Sequence, residues 1–118
     1  MDSEGSAGWR QRLQPWWPLM RVVVSGDSMA PTLADGDWLV CRRITGASVV
    51  AGDVVVAEQP NRPGFVLVKR ATERKAGGWW LSGDNVLASD DSRVFGVVDD
   101  SLVIGRVLFR YAPKPRWI

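Results

Sequence analysis

Gly52-Asp53-Val54-Val55-Val56-Ala57-Glu58-Gln59-Pro60-Asn61-Arg62-Pro63-Gly64-Phe65-Val66-Leu67-Val68-Lys69-Arg70 reads as a β-hairpin. Gly52-Asp53 opens one apolar run, Val54–Glu58, and Phe65–Thr72 is the returning strand. Between them stand two prolines, an asparagine and a glycine, which is turn composition. The same grammar extends outward in both directions. Arg21–Val24 is a β-branched run, and Asp37–Arg43 follows the Asp35-Gly36 turn. Gly77-Gly78 precedes Trp79–Ser82, and Gly83-Asp84-Asn85 turns the chain again. Leu102–Tyr111 is the last long run, with Gly105 a candidate bulge. The expected fold is therefore all-β, a core of short antiparallel strands over residues 21–118. Residues 1–20 read as a polar lead and a Trp/Pro-rich arm (Trp9, Trp16, Trp17), in which Pro15 and Pro18 block a long helix. A chain of 118 residues, 46% of them apolar, has room for one core.

Several chemistries are excluded at once. The chain has no histidine, so no Ser-His-Asp or Cys-His site and no histidine-ligated metal can form. Cys41 is the single cysteine, which rules out an internal disulfide and a Cys-pair zinc site. No cofactor or metal is expected. No apolar stretch approaches the roughly 20 residues of a membrane span. On that reading the chain is expected in the cytoplasm, at most peripheral to a membrane. The net charge is only +2, but Arg106, Arg110, Lys114 and Arg116 close the chain with no acid after Asp100. Such an ending reads as a solvated basic tail, or as the start of a nucleic-acid footprint.

Three segments carry candidate chemistry. In Phe65–Arg70, strand alternation places Phe65, Leu67 and Lys69 on one face and Val66, Val68 and Arg70 on the other. One of the two cations must share a face with apolar neighbours. Lys69 is either a strand-end lysine reaching for water or a desolvated amine. An ordinary lysine is neutral only about 0.04% of the time at pH 7, and a drop of about 3 pKa units, costing roughly 4 kcal/mol, would make it a usable base. In Ser25-Gly26-Asp27-Ser28-Met29-Ala30-Pro31-Thr32-Leu33, a glycine bend presents Ser28 and its N–H ahead of a proline. An ordinary Ser/Asp turn fits these residues too. The loop Gly83-Asp84-Asn85-Val86-Leu87-Ala88-Ser89-Asp90-Asp91-Ser92-Arg93 is dense in small polar residues, suited to side-chain hydrogen bonding or to plain solvation. Without histidine, a serine nucleophile needs another base, and a buried lysine is the standing alternative.

Ser28-Met29-Ala30-Pro31-Thr32-Leu33, Gly36-Asp37, Gly52-Asp53-Val54-Val55-Val56, Lys69-Arg70 and Gly83-Asp84-Asn85…Ser89-Asp90-Asp91-Ser92-Arg93…Gly96, in this order, resemble the type I signal peptidase family. The likeness spans about residues 22–110. It implies an all-β peptidase core with Ser28 as nucleophile, Lys69 as general base and Ser89 positioning the lysine amine. Asp91 and Arg93 are implied as a supporting ion pair, with Gly26 and Met29 as supporting positions beside the nucleophile. The family's membrane-bound members carry N-terminal anchors and this sequence shows none. Some members have a serine where Gly26 stands, and Ser25 and Thr32 are the remaining candidates for that side-chain donor. Val68-Lys69-Arg70-Ala71, Gly77-Gly78-Trp79-Trp80-Leu81, Gly83-Asp84-Asn85 and Arg110-Tyr111-Ala112-Pro113 resemble a narrower group, the maturation proteases of nickel-type superoxide dismutase. That likeness implies a partner protein from which an N-terminal extension is removed.

A neutral lysine needs a dry wall, expected from Phe65, Leu67 and one of Trp79 and Trp80. Extended substrates with small residues before the cut are expected to pair with an exposed strand edge. Two other classes fit parts of the sequence. A non-catalytic β-domain would bind nucleic acid through the basic end, and Ser28→Ala would leave that binding unchanged. A self-cleaving regulatory domain of the SOS-repressor kind would need an upstream helix-turn-helix, for which 20 residues are too few.

Overall fold

A computed structural model describes residues 18–88 and 90–118. Ser89 and nearly all of the Trp-rich arm lie outside the described residues. The described residues form eight strands: β1 (Leu19–Val23), β2 (Trp38–Arg43), β3 (Val54–Glu58), β4 (Val66–Lys75), β5 (Gly78–Ser82), β6 (Val98–Asp99), β7 (Val103–Ala112) and β8 (Arg116–Trp117). The described α-helix is the single turn α1 (Ser92–Phe95). All pairings are antiparallel, in the order β1-β2-β7-β3-β4-β5-β6 with β8 on β7. The expected hairpin is β3–β4, in register from Val54↔Arg70 to Glu58↔Val66.

That hairpin is apolar on both faces because both faces are covered. Val54, Val56, Val66 and Val68 join one core cluster with Met20, Val22, Leu39 and Cys41. Val55, Ala57 and Ala71 join a second with Trp79, Leu81 and Val98. A strand buried on both sides reads as a continuous apolar run rather than an alternation. Each buried valine side chain is worth about 1.5 to 3 kcal/mol. Lys69 sits opposite Val55, on the second cluster's face, and is 4% exposed.

Gly105 lies beside a register shift: Val56 pairs with Gly105, but Ala57 pairs with Val103, leaving Ile104 extra. A Cβ at Gly105 would stand 2.5 Å from Met20 Cε and 2.7 Å from the Arg42 carbonyl oxygen. The close approach of β7 to β2 therefore requires glycine. Gly105→Ala is expected to lower unfolding stability by about 2 kcal/mol, read from chemical denaturation. A change within about 0.5 kcal/mol would show that the strands separate freely there.

Part of the basic ending is tied back onto the fold, while Lys114 and Arg116 remain exposed. Arg106 approaches Asp53 at 3.7 Å, and Arg110 meets the buried Asp37 at 3.3 Å. Arg110 Nε also donates to the Lys114 carbonyl, and Arg116 donates to the Thr32 carbonyl. Asp53, Asp37 and the Thr32 carbonyl, all far away in sequence, take up Arg106, Arg110 and Arg116.

Candidate active site

The Ser28 loop is held at its base by backbone bonds. Val24 N–H donates to the Asp37 carbonyl and Gly36 N–H to the Val24 carbonyl, both at 2.8 Å. Gly26 adopts φ +88°, a conformation open to glycine, and its N–H donates to Asp35 Oδ1 at 2.7 Å. Met29 and Leu33, both fully buried, anchor the loop into the first core cluster. Ser28 is left half-buried between a tethered glycine and a buried methionine. Gly26 and Met29 thus support the loop through backbone conformation and packing.

Ser28 and Lys69 line the same cleft, of about 220 Å³, with Val24, Phe65, Leu67 and Asp90 among its other walls. Phe65 and Leu67 form the expected dry wall. Neither tryptophan joins them. Trp79 is buried in the second cluster, with its Nε1–H on the Gly46 carbonyl at 2.8 Å. Trp80 lies under Lys75, 6.0 Å from ring centroid to Nζ. Burial pushes the Lys69 amine below its ordinary pKa of 10.5. The charges of Asp91 and Asp90 oppose that shift and Arg93 adds to it.

Asp91 and Arg93 are joined as expected, Nε to Oδ1 at 2.9 Å. Asp91 is 1% exposed and also caps α1, accepting from the Arg93 N–H at 3.0 Å. Its second oxygen accepts from Gly83 N–H at 3.2 Å. Burial pushes this carboxyl up, but the bonds from Arg93 and Gly83 outweigh it and hold the group below the usual range. Ser92 is buried too, accepting from Leu81 N–H at 2.8 Å. The loop's polar residues on this side are thus internal fastenings.

A second network went unassigned in sequence. Arg70 grips Asp84 with two bonds, Nε to Oδ1 at 2.9 Å and Nη2 to Oδ2 at 2.8 Å. Thr32 Oγ1 donates to the same Asp84 Oδ2 at 2.6 Å. Asn85 N–H donates to the Ser28 carbonyl at 2.8 Å, and Asn85 Nδ2 to the Asp27 carbonyl at 3.2 Å. The Arg70 guanidinium holds the Asp84 carboxyl below its ordinary range. These bonds tie the Ser28 loop to the strand that carries Lys69. Thr32 is committed to Asp84, which leaves Ser25, in the cleft wall, as the remaining side-chain candidate beside Ser28. The runs Lys69-Arg70 and Gly83-Asp84-Asn85 were visible in sequence, but no periodicity connects positions 14 and 52 residues apart.

Among the described residues no group of acidic or cysteine side chains is placed to hold a metal ion. No helix among them is long and apolar enough to cross a membrane.

Residues 16–108 match the Peptidase S24-like family. The chain is 33% identical over 114 residues to mitochondrial inner membrane protease subunit 1 of Xenopus tropicalis, covering 78% of this chain and 68% of that protein. Against the subunit 1 protein of Schizosaccharomyces pombe it is 31% identical over 118 residues, covering 81% and 75%. Against subunit 2 of the Saccharomyces cerevisiae protease it is 26% identical over 121 residues, covering 80% and 68%.

Proposed function

This chain belongs to the Peptidase S24-like family, and we propose that it is a serine endopeptidase working through a Ser28/Lys69 dyad. The observation that carries this reading is the shared cleft. A hydroxyl on a tethered loop and a buried lysine line one cavity, in a chain without histidine.

Burial favours the neutral amine, which can accept a proton. Lys69 takes the Ser28 proton as Ser28 Oγ attacks the peptide carbonyl, and the Ser28 N–H stabilises the oxyanion. Protonated Lys69 then gives its proton to the leaving amine. Water, deprotonated by Lys69, releases the acyl group and restores Ser28. Ser89 positions the lysine amine, an assignment supported by its place in the Ser89-Asp90-Asp91-Ser92-Arg93 box. An extended substrate lies along residues 66–69 of β4, whose pairing with β5 begins only at Arg70.

The substrate is a precursor protein that loses an N-terminal extension. The relatives' description as inner membrane protease subunits supports processing at a membrane surface. The precursor we assign is that of nickel-type superoxide dismutase, on the likeness of Val68-Lys69-Arg70-Ala71 and Gly77-Gly78-Trp79-Trp80-Leu81 to its maturation proteases.

The test is the intact mass of that precursor after incubation with wild type, Ser28→Ala and Lys69→Ala. One trimmed product from wild type alone is the expected result. If wild type leaves the precursor whole but trims a signal-peptide substrate, the precursor assignment fails and the peptidase stands. Trimming that survives Ser28→Ala would remove the dyad.

A further inference from the structure

The cleft has a charged end that the dyad does not use. The β3–β4 turn places Arg62 in its wall, with the guanidinium carbon 3.9 Å from the Phe65 ring centroid. A guanidinium stacked on a ring gives its face to the aromatic and keeps its in-plane N–H donors available. Among the described residues no carboxylate pairs with Arg62. The neighbouring acid, Glu58, is occupied: its Oε2 accepts from Gly64 N–H at 2.7 Å.

The turn is also preorganised. Gln59 N–H donates to the Phe65 carbonyl, Arg62 N–H to the Gln59 carbonyl and Phe65 N–H to the Arg62 carbonyl, at 2.9 to 3.1 Å. Pro60 and Pro63 restrict the backbone on either side of Arg62. The cation is therefore presented with little backbone freedom left to lose on binding.

The cleft also carries the opposite sign. Asp27, next to Ser28 in sequence, and Asp90, whose charge acts on Lys69, both line the cleft and set this sign beside the dyad. An acidic side chain next to the scissile bond would meet these carboxylates. Four residues of extended chain, from 65 to 69, span about 13 Å. A peptide lying along them with its scissile bond at the dyad brings a side chain about four positions away to Arg62.

We infer that Arg62 is a specificity-determining residue, which selects peptides with an acidic side chain about four positions from the scissile bond. This rests on the peptidase reading and adds a substrate class to it: a precursor with an acidic side chain close to the cut rather than a wholly apolar stretch there.

Peptides with small residues before the cut would carry Glu, Gln or Lys at the third to fifth positions on each side. Cleavage by wild type, Arg62→Ala and Arg62→Glu is compared as kcat/KM. Wild type is expected to favour Glu over Gln about fivefold at one of these positions, the size of an exposed ion pair. The preference should shrink toward unity at about 0.5 M salt. Arg62→Ala should lose it, and Arg62→Glu should favour Lys. Equal kcat/KM for all three peptides with wild type would overturn the role of Arg62 and leave the peptidase reading intact. Absence of Ser28-dependent cleavage of every peptide would overturn that reading instead. Fluorescence anisotropy of the same peptides on Ser28→Ala protein then still decides the role of Arg62. Tighter binding of the Glu peptide, lost in the Ser28→Ala/Arg62→Ala double variant, supports it, and equal binding overturns it.

Discussion

Lys69→Met is expected to reduce peptide cleavage by about 10³-fold or more and at the same time to raise the melting temperature. On the proposed mechanism the first effect is the loss of the general base, whose contribution is typically about 10² to 10⁴-fold. The second follows from burial. Lys69 is 4% exposed on an apolar face, and its amine is held below its ordinary 10.5 mainly by desolvation. Between the lowered folded value and about 10.5, the unfolded chain binds more protons than the folded one. Folding stability therefore rises with pH across that window, and at neutral pH the buried lysine is a cost. Methionine fills a similar volume without the charge, and a gain of about 1 kcal/mol moves the midpoint of a domain this size by about 4 °C. Thermal melts of both proteins from pH 6 to 10 check the sign: the gap should narrow as pH rises. Wild-type kcat/KM should rise with pH as the amine loses its proton. A gap that stays constant with pH would mean that Lys69 is not desolvated. Wild-type activity in the Lys69→Met protein would end the lysine's role as base.

Asp84→Ala is expected to cut kcat about 100-fold with KM little changed. Asp84 stands outside the cleft wall, so its removal acts through geometry. It frees Thr32 and Arg70 together and loosens the Ser28 loop from the Lys69 strand. A displacement of about 1 Å at reacting atoms costs on the order of 10² in rate. Asp84→Asn keeps an acceptor for Thr32 and should lose less. The stability change is about 2 kcal/mol at neutral pH, the worth of charge-assisted hydrogen bonds. It depends on pH in a stated direction. The carboxyl is held below its ordinary 3.8, first by the Arg70 bond. Its contribution is complete above about pH 5 and fades as pH falls through the lowered value. Denaturation curves for wild type and variant should therefore converge in acid. Equal kcat in both proteins would show that the Ser28 loop holds its shape without this network.

Six of the eight described strands were legible because each local signal agreed with the next, while the two-residue β6 and β8 are too short to carry a pattern. Val54–Glu58 was read to its observed bounds, and other ends moved by a few residues, as with β4, which continues through Glu73 and Arg74 to Lys75. Exposed charges at those positions carry no apolar signal, and pairing with β5 extends the strand. In the site, Ser28 stood out by its glycine bend and Lys69 by its apolar strand. The tryptophan expected in the cleft wall is instead in the second core. Alternation said that Trp79 and Trp80 face apart, but not which core each side belongs to.

The sequence by itself determined the class of fold and the absence of histidine chemistry, and its resemblance to the type I signal peptidase family singled out Ser28 and Lys69 as candidate nucleophile and base. The first two depend on residue identity and on the period-two geometry of strands, both of which are local. Tertiary structure alone decided that Lys69 is buried rather than turned to water, since burial of a strand face depends on what packs over it. It also decided that Arg70, Asp84, Thr32 and Asn85 fasten the Ser28 loop, and that Arg106, Arg110 and Arg116 are held by Asp53, Asp37 and the Thr32 carbonyl. Hydrogen bonds and ion pairs between distant positions leave no periodic trace in a chain, because they are set by how the sheet curls its segments together.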